Sequence, residues 1–267
     1  MKKTYLLAVS IFLFATAHAQ NKDSLAVPIV IETPQMPQGL LRIQAAYPDF
    51  IERVDINTLY WKDGTTMLYS DGEWDKSLDI MLYRPDIEDM MKFNYPVGLW
   101  YGTPSENDEA GRYRYEPFFA KMYGETRQKV ERNLVAINWL PGIANKKLMV
   151  SKVNGIAEKL QLISNELAQL PPEFHKYLKP DGGTFNWRTV SGSTRRSLHS
   201  YGIALDINPK YADYWDWSKN KKTGAFRYCN QIPIEIVLIF ERYGFIWGGK
   251  WFHQDTMHFE YRPELVF

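Results

Sequence analysis

The sequence predicts an α+β fold: a small antiparallel sheet with flanking helices, preceded by an N-terminal extension. Three observations predict it. In GIALDIN, residues 202–208, large apolar residues alternate with small or polar ones, as in a strand with one buried face. HFEYR, residues 258–262, alternates in the same way. Apolar residues at helical spacing occupy residues 147–170 and 233–243.

The two helices are predicted from their spacing and their end signals. From Lys147 to Leu170 apolar residues recur every three or four positions, and two prolines follow. The pair Asn154-Gly155 inside this segment weakens the first turns. The second helix, from about Pro233 to Tyr243, has proline near its start and Gly244 in the terminating position.

The first 19 residues predict a cleaved secretory signal. Lys2 and Lys3 precede an apolar run from Tyr5 to Phe14, and the small-x-small sequence 17–19 precedes Gln20. The run is too short to span a membrane comfortably. We therefore expect an exported protein, periplasmic or extracellular, with no stable membrane anchor after signal cleavage.

The remaining chain is predicted to have three parts. Residues 20–39 are polar with several prolines and predict an extended leader. Residues 40–145 are expected to form an N-terminal extension packed on a C-terminal domain, which is assigned to residues 146–267. Within the extension, two Asp-Gly turn pairs bracket Thr65 to Tyr69, so this segment is predicted to be a strand of a hairpin.

A segment dense in aromatic residues and arginine, GRYRYEPFFAKMYG, covers residues 111–124. Helical spacing favours a core position for Tyr115, Phe118, Phe119 and Tyr123. The alternative is that they line one end of a substrate cleft.

Charge and cysteine content narrow the class of protein. The net charge is +1, so no basic field indicates binding to nucleic acid or to an anionic membrane. The single cysteine, Cys229, excludes an intramolecular disulfide and a thiolate-rich metal site, and we expect it to be a buried small residue. Any metal ligands must therefore be imidazole and carboxylate groups.

Two segments combine histidine with carboxylates. In the first, His199 precedes Asp206 by seven residues, with Gly202 allowing a tight backbone path and Ala204 leaving space beside the carboxylate. A histidine and a carboxylate placed in this way can converge on one ion, although a surface pair is the more ordinary arrangement.

The second segment places Asp255 three residues before His258, near the start of a predicted strand. A turn at this spacing can direct both side chains into one cavity. Glu260 shares a strand face with His258 and could orient its imidazole. The alternative for Glu260 is a surface ion pair with Arg262.

Two histidines and one carboxylate, with a fourth position open to water, are the ligand set of a catalytic zinc site. Peptide hydrolysis also needs a base, and Asp255 fits that role. An arginine can stabilise an oxyanion or bind a substrate carboxylate, and Arg188, Arg195 and Arg196 precede His199.

The pattern S-x-H-x-x-G-x-A-x-D, followed by G-G-x-W and D-x-x-H-F-E, resembles the VanY-like zinc peptidases of bacterial cell walls. The resemblance covers about residues 183–263. This family includes D-alanyl-D-alanine carboxypeptidases and dipeptidases, and L-alanyl-D-glutamate endopeptidases. By this resemblance His199, Asp206 and His258 hold one zinc ion per chain, and Asp255 is the catalytic acid/base.

The resemblance implies further roles around the first ligand. Arg188 is similar to the arginine that stabilises the substrate carbonyl, and Ser197 to the serine beside the first ligand. Arg195 and Arg196 are also candidates for substrate binding, because the spacing from arginine to histidine varies within the family. His253 is expected to orient other residues or to lie at the edge of the cleft.

We therefore expect an exported zinc metallopeptidase that hydrolyses peptidoglycan stem peptides, as a D-alanyl-D-alanine carboxypeptidase. Such an enzyme pairs the terminal carboxylate of its substrate, so Arg195 or Arg196 should point into the cleft. An L-alanyl-D-glutamate endopeptidase instead needs a groove open at both ends. A non-catalytic, zinc-containing cell-wall binding module is the third alternative, but it would have no need of a base such as Asp255.

Overall fold

A computed structural model of the chain describes residues 35–266. These residues belong to one compact unit. The predicted signal, residues 1–19, and most of the predicted leader, residues 20–39, lie outside the described residues. Within the described part, no helix is long and apolar enough to cross a membrane.

Helices and strands are both short and are mixed along the chain. In residues 35–266 the α-helices are α1 (Gln38–Ala46), α2 (Leu78–Tyr83), α3 (Ile87–Met91), α4 (Glu116–Tyr123), α5 (Arg127–Glu131), α6 (Ile156–Gln169), α7 (His175–Leu178) and α8 (Ile234–Glu241). The strands are β1 (Ile51–Asp55), β2 (Thr58–Trp61), β3 (Thr66–Leu68), β4 (Leu134–Trp139), β5 (Lys146–Ser151), β6 (Ala204–Asp206), β7 (Phe245–Trp247) and β8 (His258–Tyr261).

The first sheet is an antiparallel meander of β1, β2 and β3. The strand predicted over Thr65 to Tyr69 is confirmed as β3, which pairs with β2 through a turn at Asp63-Gly64. Asp63 closes this turn by accepting hydrogen bonds from the backbone N–H and the hydroxyl of Thr65, at 3.0 and 2.7 Å.

The predicted helix from Lys147 to Leu170 is wrong at its N-terminal end. Residues 146–151 form β5, which pairs along its whole length with β4. Asn154 and Gly155 have positive φ angles of 56° and 66°, which break the backbone between this strand and α6. The apolar residues at 148 and 150 therefore face the core with a period of two, and helical spacing begins only at Ile156.

The third sheet has the order β6-β8-β7, with both pairs antiparallel. Its strands are the two alternating segments predicted from the sequence, together with β7. The helix predicted from about Pro233 is confirmed as α8, and Gly244 follows it with φ 84°. The predicted α+β class is thus confirmed as mixed helices with small antiparallel sheets.

A single apolar core underlies these elements. It includes residues on both sides of residue 145, such as Leu40, Phe118, Leu160 and Phe259, all with no exposed surface. In the arginine-rich segment Phe118, Phe119 and Tyr123 are buried, as the helical spacing predicts, and Tyr115 is half-buried against the core.

Candidate metal centre and catalytic cavity

The register of β6 and β8 brings two of the predicted ligands together. Asp206 pairs directly with His258 across the two antiparallel strands, and Ala204 pairs with Glu260. Paired residues project to the same face of a sheet, so these four side chains share one face. The small side chain of Ala204 leaves that face open beside Glu260.

His199 reaches the same place from a short 3-10 helix, Leu198–Tyr201. The Ser197 side chain caps this helix by accepting a hydrogen bond from the His199 N–H, at 3.4 Å. Gly202 ends it with φ 68°, and a Cβ at this position would lie 2.6 Å from Leu134 Cδ2 and 3.1 Å from the Ser151 nitrogen. Only glycine fits this approach, which turns the chain directly from His199 into β6.

Three atoms converge at this point. His199 Nε2 lies 3.2 Å from Asp206 Oδ1 and 3.2 Å from His258 Nδ1, and His258 Nδ1 lies 2.9 Å from Asp206 Oδ1. The two imidazoles are buried, and the carboxylate is partly buried. Tetrahedral bonds of about 2.0–2.1 Å to a zinc ion would place neighbouring ligand atoms about 3.3 Å apart, so the spacing fits.

Hydrogen bonds on the far side of each ring fix which nitrogen carries the proton. His199 Nδ1 lies 2.6 Å from the carbonyl oxygen of Thr184, and His258 Nε2 lies 3.0 Å from a carboxylate oxygen of Glu260. Both partners accept hydrogen bonds, so each of these ring nitrogens carries a proton and donates. In the neutral rings, the lone pairs of His199 Nε2 and His258 Nδ1 then face Asp206 Oδ1. Three electron-pair donors that face each other are suited to a metal cation.

The electrostatic surroundings favour positive charge at this point. Burial alone would lower the pKa of His258, but its hydrogen bonds to Asp206 and Glu260 outweigh burial and raise the pKa to about 10. Burial would raise the pKa of Asp206, but the two histidines outweigh it and hold that pKa well below its usual range. The group therefore binds either an extra proton or a cation, and the two compete.

Glu260 belongs to a buried charged network. Besides His258, it contacts Arg114 through Oε2 and Arg262 through Oε1, the latter at 3.0 Å. Glu260 and Arg262 have no exposed surface, so the alternative of a surface ion pair between them is wrong. Burial alone would raise the pKa of Glu260, but Arg114 and the hydrogen bond to His258 lower it to about 2. Glu260 is therefore ionised when it orients the His258 ring.

Asp255 lines the same cavity as the three convergent residues. Its backbone N–H donates to the Gly248 carbonyl at 3.0 Å, and its backbone forms an antiparallel bridge with Tyr214. Its Oδ1 is buried and makes no hydrogen bond within the described residues. Burial raises the pKa of Asp255 to about 6. A carboxylate oxygen with no partner and a pKa near neutrality is suited to accept and return a proton.

The cavity has a volume of about 320 Å³. Of the arginine and serine candidates, Arg188, Arg195 and Ser197 line it. Arg196 does not line it. Its guanidinium lies over the Trp187 ring, 4.2 Å from the ring centre, and 3.8 Å from Glu116.

The sequence interpretation missed two arginines of this cavity, Arg112 and Arg114. They come from the segment 111–124, for which the alternative of lining a substrate cleft was considered for the aromatic residues and not for the arginines. His253 also lines the cavity, and its Nδ1 contacts Glu109, a buried residue just before this segment. No motif spacing links this segment to the histidines, because more than 80 residues separate Arg114 from His199.

Cys229 is half-buried rather than buried. It lies away from the convergent histidines, beside a separate cavity lined by Trp100, Tyr228 and Ile232.

Comparison with known proteins gives one match. Residues 191–261 match the model of a family described as D-alanyl-D-alanine carboxypeptidase. No curated protein and no solved structure matches the chain. The matched segment contains the three convergent residues and Asp255. The resemblance stated from the sequence is therefore confirmed over residues 191–261, which are similar to the family described as D-alanyl-D-alanine carboxypeptidase.

Proposed function

We propose that the protein is a zinc peptidase that removes the terminal D-alanine from peptidoglycan stem peptides. The observation that carries this proposal is the convergence of His199 Nε2, Asp206 Oδ1 and His258 Nδ1 within about 3 Å of one another. Asp255, whose Oδ1 has no hydrogen-bond partner in the described part of the chain, lines the same cavity. The three atoms would hold the zinc ion, and a fourth position would remain for water and substrate. The family match supports the class of substrate.

Bound zinc would lower the pKa of water and polarise the scissile carbonyl. The protein would supply the remaining steps. Asp255 would take a proton from the attacking water as the water oxygen bonds to the carbonyl carbon. It would then deliver that proton to the leaving amine as the C–N bond breaks. Arg188, which lines the cavity, would stabilise the charge that develops on the carbonyl oxygen.

The direct test is to incubate the mature protein, residues 20–267, with muropeptides and to identify the products by mass spectrometry. Each reaction is run with and without a metal chelator. Loss of a terminal alanine that the chelator abolishes is the expected result. A cut between the first two stem residues would instead identify an L-alanyl-D-glutamate endopeptidase. No cleavage by protein that holds stoichiometric zinc would favour a binding module.

We also propose that the protein is exported, because residues 1–19 carry the three-part pattern of a secretory signal. Expression of the full chain, fractionation of the cells and mass measurement of the N-terminus test this. The expected product begins at Gln20 and is found outside the cytoplasm. A product that retains residues 1–19 in the cytoplasm would contradict it.

A further inference from the structure

The segment from Asp108 to Arg114 lies outside the family match but forms part of the catalytic cavity. Its backbone carbonyls accept hydrogen bonds from residues of the matched segment and its immediate neighbour. These bonds run from Phe252 N to Asp108 O (2.7 Å), Trp251 Nε1 to Ala110 O (2.5 Å), Arg262 Nη1 to Gly111 O (3.0 Å) and Arg195 Nη1 to Arg112 O (3.2 Å). Successive carbonyls bonded in this way hold the segment at a fixed position against the peptidase.

Gly111 allows the close approach. Its φ is 99°, and a Cβ at this position would lie 2.3 Å from Ile246 Cδ1 and 3.2 Å from Glu260 Oε1. A side chain here would push the segment away from the sheet that carries His258. Arg112 and Arg114, which follow Gly111 and flank Tyr113, thereby reach the cavity.

Besides Arg188, three arginine side chains line the cavity that contains the candidate metal ligands: Arg112, Arg114 and Arg195. Arg114 and Arg195 also line an adjoining cavity of about 280 Å³. The three guanidinium groups lie close enough that burial, together with the charges of Arg114 and Arg112, lowers the pKa of Arg195 to about 10. The arginines therefore concentrate positive charge on one wall.

This positive charge is only partly balanced by carboxylates. Arg112 pairs with Glu109 at 2.8 Å, and Arg114 pairs with Glu260. Arg195 has no carboxylate within 4.0 Å among residues 35–266. Its guanidinium bonds to the Ser193 hydroxyl and to a backbone carbonyl, both uncharged. In addition, Arg114 Nε is buried and has no hydrogen-bond partner in the same part of the chain. A half-buried cation without a counter-charge, beside a buried donor without an acceptor, leaves room for an anion.

We propose that Arg112, Arg114 and Arg195 form an anion subsite, beside the metal ligands, that binds a carboxylate of the peptide substrate. The inference rests on the proposed function, because it names the group by which that substrate is recognised. The subsite is shared between two parts of the chain: Arg195 belongs to the matched segment, and Arg112 and Arg114 belong to the extension. Specificity for an anionic peptide would then depend on residues outside residues 191–261.

The test compares kcat/KM for matched peptides that differ by one carboxylate. One pair ends in a free D-alanine carboxylate or in its carboxamide. The second pair carries glutamate or glutamine at an internal position. Each pair is assayed with the wild-type protein and with the Arg195→Gln and Arg112→Gln variants. Arg132→Gln is the matched control, because Arg132 is exposed and does not line the cavity.

Wild-type protein should prefer the carboxylate in one of the two pairs. The Arg195→Gln and Arg112→Gln variants should reduce that preference about 10- to 100-fold, as expected for loss of a charge-assisted hydrogen bond. The Arg132→Gln variant should retain it. The peptide pair for which the variants lose the preference shows whether the subsite binds the terminal or the internal carboxylate. A preference that is unchanged in both arginine variants would overturn the anion subsite and leave the proposed activity intact.

Two further measurements separate a local effect from a folding defect or a wrong function. Bound zinc and the melting temperature are measured for every variant, and Arg112→Lys should restore part of the preference because it keeps the charge. If wild-type protein cleaves no peptide, the proposed function fails. Calorimetric binding of the same peptide pairs to the zinc-loaded protein then still decides the subsite: equal affinity for acid and amide in both pairs would overturn it.

Discussion

Two buried glutamates, Glu260 on β8 and Glu241 on α8, contact the N-terminal extension, and only Glu260 also contacts a candidate metal ligand. Glu260 binds Arg114 of the extension, Arg262, and the ring of His258. Glu241 accepts hydrogen bonds from the Tyr95 hydroxyl (2.6 Å), the Gly98 N–H (2.8 Å) and Lys250 (2.5 Å).

The two networks are stabilised in the same way but contact different parts of the molecule. In both, a carboxylate in a buried position is compensated by a buried cation and by further donors. The partners of Glu241 lead to the backbone of residues 96–98, where the Lys250 ammonium also bonds to two carbonyls. One partner of Glu260 is a metal-ligand candidate. The comparison distinguishes a carboxylate that only stabilises the fold from one that also orients a candidate metal ligand. Asp255 is a third kind, because its Oδ1 has no hydrogen-bond partner among residues 35–266.

The largest expected effect belongs to Asp255. Asp255→Asn should retain stoichiometric zinc and lower kcat by a factor on the order of 10² to 10⁴, because the amide cannot accept the proton from water. Turnover of a muropeptide and metal content are measured on the same preparation. His199→Ala is the contrasting variant, since it removes a ligand and should lose the metal. Unchanged turnover in the Asp255→Asn protein would remove Asp255 from the role of base.

Replacing each glutamate by glutamine tests the comparison directly. Both variants should lower the free energy of unfolding by about 3–5 kcal/mol, because each removes the carboxylate that pairs with one buried cation, Arg114 or Lys250. Only Glu260→Gln should weaken zinc binding, by roughly 10- to 100-fold, as is typical for loss of a carboxylate that orients a ligand imidazole. Zinc affinity is measured by competition with a chelator of known strength. Equal zinc affinities in the two variants would break the distinction between the networks.

The sequence could predict the side of the site that is built from short-range patterns. His199, Gly202 and Asp206 lie within one turn and one strand, so their spacing determines their geometry. The position of His258 opposite Asp206 follows once both strands are recognised as neighbours. The positions of these side chains follow from the geometry of one turn and two paired strands.

The other wall of the cavity could not be predicted in this way. Arg112 and Arg114 reach it through contacts with residues far along the chain, and such contacts leave no periodic pattern. The content of the segment, rich in arginine and aromatic residues, was the only signal. The predicted N-terminal part of the long helix was wrong for a related reason: residues 146–151 pair with β4, and apolar residues at 148 and 150 suit both a helix and a strand.

A pH-dependent stability difference is the next expected effect. Burial raises the pKa of Asp255 to about 6 in the folded protein, from about 3.9 in the unfolded chain. Folding therefore favours the protonated carboxyl. Its contribution to the free energy of unfolding is fully present below about pH 4 and is lost as the pH rises through about 6. In chelator-treated protein, Asp255→Asn should raise the free energy of unfolding at pH 7.5 by up to about 3 kcal/mol. This gain should disappear below about pH 4. Urea titrations at the two pH values measure it, and a gain that persists at low pH would contradict the burial argument.

The smallest expected effect concerns two neighbouring arginines, Arg195 and Arg196, whose side chains have different surroundings. Arg195 lines the cavity of the candidate metal ligands and has no carboxylate partner within residues 35–266, whereas Arg196 lies over Trp187 and near Glu116. Because the Arg196–Glu116 pair is long and partly exposed, Arg196→Gln should change the free energy of unfolding by less than about 1 kcal/mol. It should change kcat/KM for the acid peptide less than about twofold, because the side chain does not line the cavity. Steady-state kinetics of the Arg195→Gln and Arg196→Gln variants, side by side, measure the contrast. A larger loss in Arg196→Gln would show that the substrate extends into the adjoining cavity, where Arg196 is also a lining residue.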